Sequence, residues 1–231
     1  MLRAVPLLVL FDVDGTLFLT HDPLMGEATT EAIGTVWRLQ PTPNAIDEVD
    51  HAGQTAIAIT RAVLRSEGLN DTEIDAGLDR WCAEASSRYL ELLARADTRA
   101  WRSPDGTAKA VAALEHRALL TGNPEPVARA RMTKLGLDEL FPRGQGAFGC
   151  EAEDRATLIG LARERAGSWP AEATVAVGDT PADIAGARAA GIHVVAFASG
   201  RKARDALVAA DATIERMDEL PAALGRLSAA T

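Results

Sequence analysis

The sequence predicts an α/β protein, a doubly wound parallel sheet with a helical domain inserted after the first strand. Three observations lead there. Short runs that are apolar at every position recur at Leu7–Phe11, Ala118–Leu120, Thr174–Val177 and Val194–Phe197, as expected of strands buried on both faces of a sheet. Helix-like segments alternate with these runs at Gly106–His116, Pro126–Leu135, Asp154–Arg165 and Asp183–Ala190, the signature of a parallel sheet covered on both sides. From about Leu19 to Ala100 the pattern changes, with apolar residues recurring at spacings of three and four and no strand-like run.

Taken in order, the stretch Val5–Phe11 is interrupted by Pro6 and runs directly into acidic residues. It is too short to span a membrane and reads as the first strand of a cytoplasmic protein. In the insertion, Ala32, Ile33, Val36 and Trp37 share one helical face, and Ile57, Ala58, Ala62 and Leu64 another. Pro41-Thr42-Pro43 reads as a rigid turn between two of its helices. Asn70 followed by Glu73 resembles a capping box opening one long helix through Leu93. Gly136 and Gly191 stand where helices end in the left-handed conformation. Trp37, Trp81, Tyr89 and Trp101 are assigned to packing. The expected division is a core of residues 1–18 and 101–231 and a helical domain of residues 19–100.

The composition agrees with a folded globular chain: 231 residues, 47% hydrophobic and 25% charged. A net charge of −9 without a basic cluster argues against nucleic acid and against an anionic membrane surface. An anionic ligand would need local attraction, from a metal ion and one or two placed cations. Cys82 and Cys150 are the only cysteines and lie far apart, so two buried, reduced thiols are expected.

Three segments carry chemistry. In Phe11-Asp12-Val13-Asp14-Gly15-Thr16-Leu17 two carboxylates follow an apolar strand. Residues two apart on an extended chain point the same way, so both converge at the strand's carboxyl end, where open α/β sheets bind ligands. One carboxylate there is suited to attack phosphorus and the other to move a proton, although a solitary D-x-D pair also reads as a solvated acidic turn. Leu119-Leu120-Thr121-Gly122-Asn123 ends a second strand in a hydroxyl and exposed backbone amides, which either cradle an anion or cap a turn. Val177-Gly178-Asp179-Thr180-Pro181-Ala182-Asp183 delivers Asp179 at a strand end and Asp183 at a helix start. Such oxygen ligands suit Mg²⁺, with helix capping the alternative for Asp183.

In this order the three segments resemble the motifs of the haloacid-dehalogenase superfamily, specifically its phosphoglycolate-phosphatase-like branch. The resemblance covers the whole chain, because the helical insertion sits where that branch carries its cap domain. It implies a magnesium-dependent phosphatase acting on a small phosphorylated metabolite, as a monomer or homodimer. Asp12 would be the nucleophile, Asp14 the general acid/base and Thr121 the phosphate-binding hydroxyl, with Gly122 and Asn123 beside it. Asp12, the backbone carbonyl of Asp14, and Asp179 would hold the metal, supported by Asp183. The family's cation between the second and third motifs falls on Arg155. Gly53-Gln54-Thr55, at the position of a substrate-contacting cap turn, makes Gln54 and Thr55 substrate-binding candidates, although Ala56 replaces the aspartate that often follows. His21 reads as a satisfied or solvent-facing histidine. A phosphomutase would use the same core. A haloacid dehalogenase has no need of Asp14 or magnesium, and a catalytically silent binding module would require none of these groups.

Overall fold

The computed structural model describes residues 6–42, 45–198 and 201–228, with the backbone alone for 201–203. Val5 and Pro43 of the expected strand and turn lie outside these. Six parallel strands, β1 (Leu8–Phe11), β2 (His116–Thr121), β3 (Ala147–Phe148), β4 (Thr174–Gly178), β5 (His193–Phe197) and β6 (Ala212–Ile214), form one sheet in the order β3-β2-β1-β4-β5-β6. The strand order reverses at β1. Phe11 lies opposite Leu119 of β2 and Val177 of β4, so the three motif segments leave the sheet side by side at its carboxyl edge.

Alternate residues of the central strands feed two cores. Val9, Phe11, Leu119, Val175, Val177 and Val195 face one way, packed under α5 (Thr107–Ala112), α6 (Glu125–Lys134) and α10 (Leu220–Ser228), which the short α9 (Arg201–Ala206) precedes in the chain. Leu8, Leu10, Ala118, Leu120, Ala176 and Val194 face the other, under α7 (Arg155–Arg165) and α8 (Pro181–Ala189). Both faces are dry, which is why the strands read as unbroken apolar runs.

Between β1 and α5 lie four helices, α1 (Leu24–Trp37), α2 (Ala56–Ser66), α3 (Asp71–Asp75) and α4 (Leu78–Leu93). They build a cluster of their own around Ile33, Leu64, Ile74 and Trp81. The Asn70/Glu73 capping box is present, but it opens only the short α3, not one long helix through Leu93. The chain breaks at Gly77, where a Cβ would lie 2.5 Å from the Trp37 ring. Trp37 fills that space and donates its indole N–H to the Glu73 carbonyl, 3.0 Å away. A second expectation overran: the helix expected to reach His116 stops at Ala112, because His116 already pairs with Leu8 in the sheet. The edge strands β3 and β6, of two and three residues, are too short to carry a sequence pattern. Gly136 and Gly191 have the anticipated positive φ, 70° and 67°.

The expectation of two reduced thiols is overturned: Cys82 and Cys150 form a disulfide across a sequence separation of 68, with Cα atoms 6.1 Å apart. Cys82 belongs to α4 of the insertion and Cys150 follows β3 of the sheet domain. The fold brings together two residues whose sequence distance gave no sign of pairing. Closing a loop of that length restricts the unfolded chain by as much as about 4 kcal/mol. Cys82→Ser is accordingly expected to lower the urea midpoint, checked by equilibrium unfolding of the oxidised parent, the reduced parent and the variant. Identical midpoints for all three would refute a stabilising cross-link.

Candidate active site

Asp12 follows the last residue of β1 and its backbone N–H donates to the Val177 carbonyl at 2.9 Å, which continues the sheet one step into the motif. Its carboxylate is buried, and Arg155 donates to it from Nη2 at 2.7 Å. Arg155 opens α7 behind the N-cap Asp154 and also pairs with Asp183. Its Nη1 reaches the Gly53 carbonyl of the insertion at 3.2 Å, while its buried Nε has no partner among the described residues.

Asp12, Asp179 and Asp183 offer carboxylate oxygens that all lie within 4.8 Å of one another. Asp183 does two things here: it lies in this group and closes a capping box with Thr180 at the start of α8. Burial raises the Asp12 carboxyl well above the usual carboxylate range; Arg155 opposes this, and the charges of Asp183, Asp14 and Asp179 add to it. Burial, with Asp183 beside it, pushes Asp179 up to about 6. Thr16 donates a hydroxyl to Asp179 at 3.3 Å, and Asp179 has no cation partner among the described residues. Three crowded carboxylates with one guanidinium between them are a donor set that fits a hard divalent cation.

The glycine of the first motif is fixed by this cluster. Gly15 has φ 77°, and a Cβ on it would lie 2.0 Å from Asp179 Oδ2. Gly15→Ala is therefore expected to displace Asp179 and to cost at least about 1–2 kcal/mol for the left-handed backbone alone. A fall in thermal midpoint together with a weakened response to divalent cation would be the expected result; an unchanged protein would overturn this packing.

The Asp14 side chain is not in the metal-type group. It is half-exposed and accepts from Arg131 Nη1 at 2.8 and 3.0 Å and from the Asn123 amide. Arg131, on α6, is the residue that sequence reasoning missed. Its Nη2 donates to Asp22 at 2.9 Å and its Nε to the Tyr89 hydroxyl at 3.2 Å, while Tyr89 itself donates to Asp22 at 2.7 Å. Tyr89, assigned to packing, is thus also a polar link between α4 and the sheet domain. Burial works against the Arg131 charge, but Asp14, Tyr89 and Asp22 together hold its pKa above the ordinary arginine value.

Thr121 is buried, and its hydroxyl oxygen accepts from the Asn123 amide and backbone N–H at 3.0 and 3.3 Å. The insertion rests on this turn: Ala56 N–H donates to the Gly122 carbonyl at 2.7 Å, and a Cβ on Gly122 would lie 2.1 Å from the Gln54 carbonyl. Asp12, Asp14, Thr121, Gly122, Asn123, Gln54, Arg155 and Asp179 all line one cavity of about 1040 Å³ between the sheet and the inserted helices, joined by the exposed His21. Thr55 and Asp183 are not in its lining. Thr55, expected to meet substrate, instead caps α2: its hydroxyl accepts from Ala58 N–H and donates to the Glu153 carbonyl at 3.0 Å.

The family model of haloacid dehalogenase-like hydrolases matches residues 7–191. No curated protein sequence matches the chain. Among solved structures, a point mutant of CbbY from Rhodobacter sphaeroides, in complex with xylulose-(1,5)bisphosphate, is 20% identical with a TM-score of 0.68, covering 95% of this chain and 99% of that one. A HAD hydrolase of family IA, variant 3, from Entamoeba histolytica is 18% identical with a TM-score of 0.63, covering 96% and 99%. A predicted phosphoglycolate phosphatase from Haemophilus somnus is 18% identical with a TM-score of 0.57, covering 94% and 97%. At these identities the likeness concerns the fold.

Proposed function

The chain belongs to the haloacid dehalogenase-like hydrolase family, and from its site we propose that it hydrolyses a small phosphate monoester through an aspartyl-phosphate on Asp12, with Mg²⁺ as its metal. The observation that carries this reading is the separate fixing of two carboxylates at one strand end. Asp12 is held by Arg155, and Asp14, two residues on, by Arg131 and Asn123. One group is positioned to attack and the other to exchange a proton.

Asp12 attacks phosphorus in line, and the bond to the ester oxygen breaks. Asp14 gives its proton to the departing oxygen, so the alcohol leaves neutral. Asp14 then takes a proton from water, whose oxygen attacks the aspartyl-phosphate and frees Asp12 and inorganic phosphate. Arg155 binds the phosphoryl oxygens with a guanidinium whose buried Nε still lacks a partner among the described residues. Thr121 and the turn after it bind the same group. Asp12, Asp179 and Asp183 would hold Mg²⁺, which when bound supplies positive charge against the phosphoryl oxygens. The insertion, seated on Gly122 and Arg155, keeps bulk water from the reacting atoms.

Phosphate release from p-nitrophenyl phosphate, with Mg²⁺, after chelation and after Mg²⁺ is restored, tests the reading. Release that stops on chelation and returns with Mg²⁺ is expected. No release under any condition would overturn it, and a phosphomutase would give little free phosphate.

Among the described residues no helix is long and apolar enough to cross a membrane. A cytoplasmic location is consistent with a phosphorylated metabolite as substrate, but reductants there would keep Cys82 and Cys150 as thiols. Thiol labelling in freshly lysed cells distinguishes the two states.

A further inference from the structure

The cavity is charged very unevenly. Among the described residues its lining contains two cations, Arg155 and Arg131, and both are at the Asp12/Asp14 end. Both are already engaged, Arg155 by Asp12 and Asp183, Arg131 by Asp14 and Asp22. The remainder of the lining, supplied by the insertion, has no lysine or arginine, two histidines, His21 and His51, and four carboxylates, Asp22, Glu27, Glu31 and Asp47. Of these, Asp22 is paired with Arg131 and Glu31 with Arg88 outside the cavity; no described lysine or arginine answers Glu27 or Asp47.

The uncharged groups of that wall point to what it accepts. Thr60 is fully buried in it, with a hydroxyl that has no hydrogen-bond partner among the described residues. Gln54 lines the opening between the domains, and its side-chain amide makes no hydrogen bond to a described residue. An unpaired buried hydroxyl is costly and is relieved by a ligand that donates or accepts there. Met25 and Ile59 give the wall apolar surface for a carbon skeleton.

We infer that the substrate is a monophosphate of an uncharged, hydroxyl-bearing alcohol, with no second phosphate and no carboxylate on the leaving group. The inference rests on the phosphatase reading above and narrows it, since a second anion would meet Glu27 and Asp47 with no free lysine or arginine among the described lining residues to receive it. Like charges brought together at a binding surface oppose association strongly. The preference therefore runs against both phosphocarboxylates and bisphosphates.

The test is phosphate release by the full chain with Mg²⁺ from matched esters: glycerol 3-phosphate against 3-phosphoglycerate, and ribose 5-phosphate against ribose 1,5-bisphosphate. p-Nitrophenyl phosphate serves as the control for the chemistry. In each pair kcat/KM should favour the ester without the second anion by at least about tenfold. A phosphocarboxylate or bisphosphate turned over as well as its partner, or better, while the control reacts, would overturn this inference and leave the phosphatase reading standing. No release from any ester, the control included, would overturn both. The double variant Glu27→Gln, Asp47→Asn changes two exposed side chains without altering their size. It should bring each ratio towards one, and an unchanged ratio would remove these carboxylates as the cause. Thr60→Val, matched in shape, should raise KM for the preferred ester; an unchanged KM would remove the hydroxyl from recognition.

Discussion

Asp12→Asn is expected to lower phosphate release by at least about a thousandfold, the scale seen when a nucleophile is removed from a covalent mechanism. The amide cannot attack phosphorus, yet it keeps nearly the same shape, and Arg155 retains its second partner Asp183. Burial already disfavours the Asp12 charge, so the variant should fold, with a thermal midpoint close to the parent's. Phosphorus stereochemistry separates this mechanism from its main rival. Attack by Asp12 followed by attack of water inverts the centre twice and gives net retention. Direct attack by water, with Asp12 only helping to hold the metal, inverts it once. Hydrolysis of an isotopically chiral phosphate ester should therefore proceed with retention. Inversion, or substantial turnover by a verified Asp12→Asn preparation, would remove Asp12 from the nucleophile's role.

How much of this was legible beforehand depended on whether a residue's role was announced by its neighbours in sequence. Asp12, Thr121 and Asp179 each end an apolar run, and the sheet brings those runs into adjacent register. Their convergence could be read from local pattern plus the rule that ligands bind where the strand order reverses. Arg155 was legible for a weaker reason, through the family resemblance alone, which implies a cation between the second and third motifs, where this arginine opens a helix-like segment. Arg131 was not legible. In sequence it is one of two arginines on α6, indistinguishable from a solvated one, and its partners Asp14, Asp22 and Tyr89 lie 117, 109 and 42 residues away. The disulfide was hidden by the same kind of distance. Thr55 misled in the opposite direction, since a threonine before a helix satisfies a cap and a substrate pattern equally well, and the structure commits its hydroxyl to the cap.

Arg131 carries the second large expected effect, because it joins Asp14 to the insertion. Its side chain is 3% exposed and that of Asp22 only 2%, so Arg131→Met would leave a buried carboxylate without its cation. Removing one partner of a buried pair typically costs about 3–5 kcal/mol, and the single variant should show a clear loss of thermal stability. The double variant Asp22→Asn, Arg131→Met removes the stranded charge and should recover much of that loss. Activity should not recover with it. With Arg131 gone, Asp14 keeps the Asn123 amide but loses the guanidinium that fixes its carboxylate. Proton transfer by a positioned carboxyl is worth about 10²–10⁴-fold, and most of that should disappear. The dependence on leaving group identifies the cause. An alkyl ester needs a proton on its departing oxygen, whereas 4-nitrophenolate leaves without one. The double variant should therefore lose at least about tenfold more kcat with an alkyl phosphate than with p-nitrophenyl phosphate. Equal losses with both esters would mean that Arg131 serves the fold alone, and that Asp14 does not depend on it for proton transfer.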